Sequence, residues 1–292
     1  MPQLYRRKGG GGKGGGGGKG GGGGGGGSSG SGGRGVVSVP GATAGRSTAS
    51  PYGPGGGPVS TIPAGQPFAG KSVGGGTRDQ VYGSQTYGSG YPGVPARGVN
   101  NYPGFPYTYW PVIWPLPIGG FGGAYLYNHH YGSASNSSRP GGPLVEARFT
   151  SPNSNSSFHV MSDNSTVVSL ITSIQANCTL GSDTTWTANP LSDNSTTPRP
   201  EQTIQYYRAS SVALTLDGYN NTASLEENQT EPDVPLPTWV DRTTLDCLNL
   251  TIGAAVPLID VSDASASIRP ASTSMVGTLT LIWFLWAYMF GF

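Results

Sequence analysis

LVEARFTSPNSNSSFHVMSDNSTVVSLITSIQANC, residues 144–178, decides the fold class. Two short runs, 144–150 and 157–162, have the length and apolar content of strands, and the Ser/Pro/Asn cluster between them is turn chemistry. After Ser162-Asp163, a helix-capping pair, Val167, Leu170, Ile171, Ile174 and Cys178 recur at helical spacing, although the β-branched content of the run leaves a strand open. Further on, residues 203–219, TIQYYRASSVALTLDGY, alternate through Ile204, Tyr206, Val212, Leu214 and Leu216, and Asp217-Gly218 punctuates the run as a turn. Residues 243–253, TTLDCLNLTIG, bring Cys247 back to the core. Residues 144–260 therefore predict a small α+β or mainly β domain clamped by one disulfide, with 133–143 as a linker before it.

Composition divides the chain. Of its 50 glycines, 37 precede residue 99, whereas 143–276 contain only Gly181, Gly218 and Gly253. Charge divides at the same place, at about +9 over 1–98 and about −8 over the remainder. Glycine loses the most backbone entropy on ordering, and little apolar surface offsets that loss in residues 1–98, which predicts a disordered, basic tail. Tyrosines within it, at Tyr82, Tyr87 and Tyr91, and Tyr102 just beyond it, read either as scattered residues of an inert linker or as contact points for self-association. An RNA-binding reading has little support: only Arg34 stands between glycines, and the acidic half would repel phosphate.

Residues 65–72, GQPFAGKS, match the phosphate-binding pattern G-x-x-x-x-G-K-S/T. That pattern works where a strand delivers the loop and a helix begins at the Lys-Ser pair. The preceding PYGPGGGPVSTIPA has four prolines and no buried-strand run, and each glycine of the following VGGGTRDQ costs a helix about 1 kcal/mol. The match is compositional. Gly30-Ser31-Gly32 and Gly88-Ser89-Gly90 lack the strand-to-helix elbow of a serine nucleophile, and Glu226-Glu227 sit in a sequon-rich loop. His129-His130 have no carboxylate or cysteine nearby, and His159 is remote in sequence. The expectation is a non-enzyme with no catalytic residues, no cofactor and no metal.

Residues 102–127, YPGFPYTYWPVIWPLPIGGFGGAYLY, carry no charge, yet five prolines together with Gly119, Gly120, Gly122 and Gly123 argue against a lipid-facing helix. Residues 99–132 are expected as an extended aromatic and proline-rich ribbon, either lying on the folded domain or exposed as an adhesive patch.

Eight Asn-x-Ser/Thr acceptors, at Asn136, Asn155, Asn164, Asn177, Asn194, Asn220, Asn228 and Asn249, cluster in and just before the folded part, and none precedes them. Their confinement there points to surface glycans and the secretory pathway. In that oxidising compartment Cys178 and Cys247 pair and close a loop of about 70 residues, worth about 4 kcal/mol in the chain-entropy picture. Residues 275–292 are uncharged and apolar; they follow the polar spacer 261–274 and its small residues Ser262, Asp263, Ala264 and Ser265. That order is the signal for a glycolipid anchor, with those four residues as candidate acceptors; a retained single-pass or tail-anchored span is the alternative. The opening MPQLYRRKGGGG has no apolar leader, so the expectation includes a misassigned start.

Pro200-Glu201-Gln202, QYYRASSVALTLDGYNN at 205–221, LDCLNLTIGAAVPLID at 245–260, the Gly-Lys tail and the apolar end together resemble glycine-rich, secreted or membrane-attached surface proteins of basidiomycete fungi. The resemblance covers mainly residues 100–260. It implies a secreted or membrane-attached product and brings no activity or catalytic residues with it. The combined expectation is a structural or adhesive glycoprotein on the outer face of the plasma membrane or in the cell wall. Its partners would be the membrane through the C-terminal segment, and anionic wall polymers or other copies through the tail.

Overall fold

The computed structural model describes residues 35–43, 46–89, 104–114, 131–192, 195–225 and 231–261. In chain order the strands are β1 (Val37–Ser38), β2 (Thr48–Ala49), β3 (Ser60–Thr61), β4 (Ser72–Val73), β5 (Gly104–Phe105), β6 (Leu144–Thr150), β7 (Ser157–Asp163), β8 (Asn189–Pro190), β9 (Thr203–Tyr207) and β10 (Val212–Leu216). Helix α1 (Asn164–Asn177) follows β7 directly, and α2 (Arg242–Ala255) follows the last strand. The main sheet is antiparallel, in the order β8-β6-β7-β10-β9; β1-β2 and β3-β4-β5 form two small sheets.

Side chains alternate across the main sheet. Val145, Ala147 and Phe149 of β6, Phe158 and Val160 of β7, and Val212, Leu214 and Leu216 of β10 share one face by register. Tyr207 belongs to that face and donates to Asn249 Oδ1 of α2 at 2.6 Å, which places the helical layer there. The other face carries Glu146, Arg148, His159 and Met161, together with Tyr206, whose ring meets Tyr87 and Trp114 edge-on. The α+β expectation is met, and helix rather than strand follows Asp163. Its extended backbone and a side chain accepting from Thr166 N make it an N-cap.

The expected single alternating run 203–219 is instead a hairpin that turns at 208–211. Arg208, Ala209 and Ser210 take φ of 50°, 50° and 58°, a costly succession for residues with a Cβ. Contacts from distant chain impose it. Val112 N donates to Ser210 O at 2.8 Å, Arg208 N to Val81 O at 2.7 Å, and Gly88 N to Ser210 Oγ at 2.9 Å. The buried Arg208 guanidinium pairs with Asp163 Oδ2 at 2.8 Å, donates to Thr166 Oγ1 and Pro257 O, each at 3.0 Å, and lies 3.3 Å from the centroid of the Tyr109 ring.

Disorder through residue 98 is corrected for 35–43 and 46–89, which belong to the packed body. Val39, Ala49, Ile62, Val73, Val81 and Tyr87 are each at most 2 % exposed. Glycine serves close approach here. Gly55, at φ 72°, has a backbone path on which a Cβ would lie 2.6 Å from Gly76 O. Arg78 completes the attachment by donating to Gly53 O at 2.8 Å and to Val256 O, at the end of α2, at 2.7 Å. Residues 65–72 form the turn and return of the β3–β4 hairpin, with Ser72 in a strand.

Residues 104–114 of the aromatic ribbon lie on the body, burying Phe105, Tyr107, Tyr109, Trp110, Val112, Ile113 and Trp114. The rest of the 99–132 stretch, apart from Tyr131 and Gly132, lies outside the described residues, as do 1–34. The proposed linker 133–143 is corrected as well. Arg139, 1 % exposed, donates to the carbonyls of Pro111 at 2.5 Å, Trp110 at 3.2 Å and Tyr131 at 3.3 Å. Pro143 and Gly141 carbonyls accept from the first amides of α1, Asn164 N and Ser165 N, both at 2.9 Å.

Asp163→Asn keeps a capping side chain but strips the charge facing Arg208. It should lower stability by roughly 3–5 kcal/mol, read as a shifted urea midpoint at unchanged slope. Gly253 gives a second check. A Cβ there would lie 2.0 Å from Tyr82 Oη, so Gly253→Ala should forfeit the roughly 1 kcal/mol helix-propensity gain and recover it in a Tyr82→Ala background.

Candidate functional site

The polar face of the sheet holds one connected set of ionisable side chains. Register places Arg148 of β6 and Thr215 of β10 on either side of His159. Glu146 lies two residues from Arg148 on the same face, and Asp217 follows the end of β10. His159 Nδ1 is 3.0 Å from Glu146 Oε2, and its Nε2 is 3.2 Å from Asp217 Oδ2. Arg148 Nε donates to Ser157 Oγ at 2.7 Å. Two acids and two bases thus gather on this face, with His159 held between Glu146 and Asp217.

Burial pushes the His159 imidazole down, and the hydrogen bonds to Asp217 and Glu146 more than offset it, raising it to about 9. The hydrogen bond from His159 also lowers Asp217. At neutral pH the ring is therefore an imidazolium with both N–H groups committed. It has no lone pair for a metal and no capacity to accept a proton, so the arrangement suits a charged cross-strand clamp rather than general-base chemistry. Among the described residues, no group of three or more His, Cys, Asp or Glu side chains could hold a metal ion.

The sequence-selected sites lie elsewhere. Cys178 caps the end of α1 and forms a disulfide with Cys247 of α2, with 5.8 Å between Cα atoms and 69 residues of separation. Of the acceptor asparagines, Asn155, Asn164, Asn177 and Asn220 are exposed, and Asn136 and Asn249 are partly so. Asn221 has no Ser or Thr two residues on. It is fully buried, donating to Gln85 and Asp233 at 3.1 and 2.9 Å. Asn194, Asn228 and the lipid-acceptor candidates Ser262, Asp263, Ala264 and Ser265 lie outside the described residues, as do His129 and His130.

The disulfide brings Asn177 and Asn249 into one neighbourhood, whereas Asn136, Asn155 and Asn220 sit on separate loops. Sequence reading passed over the Glu146–His159–Asp217 clamp. Its signal was polar residues at alternate positions 146, 148, 157, 159 and 217 within strands otherwise apolar.

The clamp sets a pH window. The raised His159 contributes stability that is complete below its unfolded value near 6.5 and is lost as pH rises through about 9. Asp217, being lowered, contributes stability that is lost as pH falls through the acid range. Allowing for half-exposed Asp217, the alkaline loss amounts to about 2–3 kcal/mol. The thermal midpoint should fall between pH 6.5 and 9, and His159→Gln should flatten that decline. Compared with protein families, curated proteins and solved structures, the chain finds no match.

Proposed function

We propose that the chain is a non-enzymatic, N-glycosylated protein of the cell surface or cell wall, structural or adhesive, held by a lipid anchor attached near residues 262–265. The observation that carries this reading is the Cys178–Cys247 bond within a body whose described acceptor asparagines all reach solvent. A disulfide belongs to an oxidising compartment, the one in which such asparagines receive sugar. The only described asparagine that is fully buried, Asn221, is not an acceptor.

Other features agree with the reading. The clustered charges neutralise one another across the sheet, and the described part has no helix long and apolar enough to cross a membrane. Attachment is assigned to a glycolipid on one of residues 262–265, with the apolar 275–292 as its signal, all outside the described residues. With Arg46, Lys71 and Arg78 placed in the packed body, the cationic arm consists of residues 1–34, carrying Arg6, Arg7, Lys8, Lys13, Lys19 and Arg34 with no acid. Such an arm attracts anionic wall polymers with a strength that falls as salt rises.

Expressed in a fungal secretory host, the full chain should collapse from several bands to one after peptide N-glycosidase. Its two cysteines should resist alkylation until reduced, and phosphatidylinositol-specific phospholipase should release it from membranes. A single unmodified band with both thiols alkylated would overturn the reading; retention after phospholipase would replace the lipid anchor with a span.

A further inference from the structure

The disulfide and two of the acceptor sites share atoms of the same neighbourhood. Cys178 is the middle residue of the Asn177-Cys178-Thr179 acceptor, and Asn249-Leu250-Thr251 begins two residues after Cys247. Thr251, whose hydroxyl the Asn249 acceptor requires, is 8 % exposed, with Oγ1 3.5 Å from Cys178 Sγ. Asn249 itself lies well inside α2, its Oδ1 accepting from Tyr207 at 2.6 Å and its carbonyl from Tyr82 at 3.3 Å.

Sugar transfer needs the asparagine amide and the hydroxyl two residues later brought together in an extended or turned segment. In a helix these residues are about 200° apart around the axis and do not face one another. Modification of Asn249 therefore requires that this part of α2 be unformed. The disulfide opposes that by pinning Cys247, half a turn away, to the end of α1. Asn177 is constrained too, since its Nδ2 donates to Ser173 O at 2.6 Å and Tyr52 Oη at 3.2 Å.

Order of synthesis separates the two sites. Asn177 emerges one residue before Cys178, which itself precedes Cys247 by 69 residues. At about 5–20 residues per second it is available for about 3–14 s before its neighbour can find a partner. Asn249 emerges two residues after Cys247 and has no such interval.

Resting on the secretory reading above, we propose that closure of Cys178–Cys247 sets the occupancy of Asn249: the site accepts sugar only before the bond forms, whereas Asn177 is filled in advance. In the transfer, Asn249 Nδ2 displaces pyrophosphate-linked lipid from the sugar's anomeric carbon. A C–N bond forms, the C–O bond to phosphate breaks, and one amide proton leaves to a base of the transferase. In the competing step the two thiols give two electrons and two protons to an oxidoreductase disulfide, which is reduced to its dithiol. Asn136 and Asn220 stand apart from this competition, because their hydroxyl partners Ser138 and Thr222 stay exposed in loop and short 3-10 structure after folding.

The test is site-by-site occupancy by glycopeptide mass spectrometry on the full chain from a secretory host. In the wild type, Asn177, Asn136 and Asn220 should be near complete and Asn249 partial. A brief dithiothreitol pulse during synthesis should raise Asn249 to the level of Asn220 and leave the others unchanged. Cys178→Ser, which preserves the Asn177 acceptor, should do the same; the pulse on wild-type chain carries the test if that variant misfolds. Asn249 as full as Asn220 in untreated wild type, or unmoved when closure is delayed, overturns the inference alone. Sugar at no site overturns it together with the secretory reading.

Discussion

The Asp163–Arg208 pair is the contact on which the rest depends, because a single carboxylate there performs two tasks. Asp163 Oδ1 accepts from Thr166 N and Ser165 Oγ, both at 3.0 Å, and starts α1; Oδ2 faces Arg208 at 2.8 Å and fixes the β9–β10 turn. With both groups nearly removed from water, neither charge can be left alone without a large penalty, so the helix start and the hairpin tip must form together. Tyr109 covers the guanidinium from the aromatic ribbon, which draws a third segment into the same knot. The left-handed residues at 208–210 are tolerable because charge, carbonyls and an aromatic face all hold them.

Three arginines play related parts. Arg208 ties the hairpin to α1, Arg139 ties the ribbon to the loop before β6, and Arg78 ties the glycine-rich segment to the end of α2. Each donates to backbone carbonyls, which suits segments rich in glycine and proline that offer few side-chain partners. Burial brings Arg78 and Arg139 down to about 10, so both remain charged at neutral pH. Residues 35–43, 46–89 and 104–114 thereby become part of the body.

The central hairpin and α1 were legible in sequence because their apolar spacing and capping pair agree locally. The disulfide was legible from its compartment logic. Residues 35–43 and 46–89 were not, because composition cannot separate glycine that loosens a chain from glycine that lets two backbones touch; only the neighbour of each Cα decides. The turn at 208–211 lacks Gly, Asn or Pro, and its left-handed run is imposed by residues 81, 88 and 112. The clamp around His159 joins positions 13 and 58 residues apart, a relation that strand register creates and linear reading does not contain.

The way residues 81–84 run beside β9 has a wider consequence. Gly83 N donates to Tyr206 O and Tyr206 N to Ser84 O, both at 2.9 Å, so the outward-facing amide and carbonyl of Tyr206 in the outer strand are already taken. On the opposite flank, Gly181, Thr185 and Leu191 amides cap β6, and β8 ends in Pro190, which has no amide to offer. Edge positions occupied in this way are closed to strand addition, the step by which crowded β-proteins fuse into fibres. The glycine-rich segment thus acts as a guard for the strand beside it, withholding those groups from any second copy of the chain.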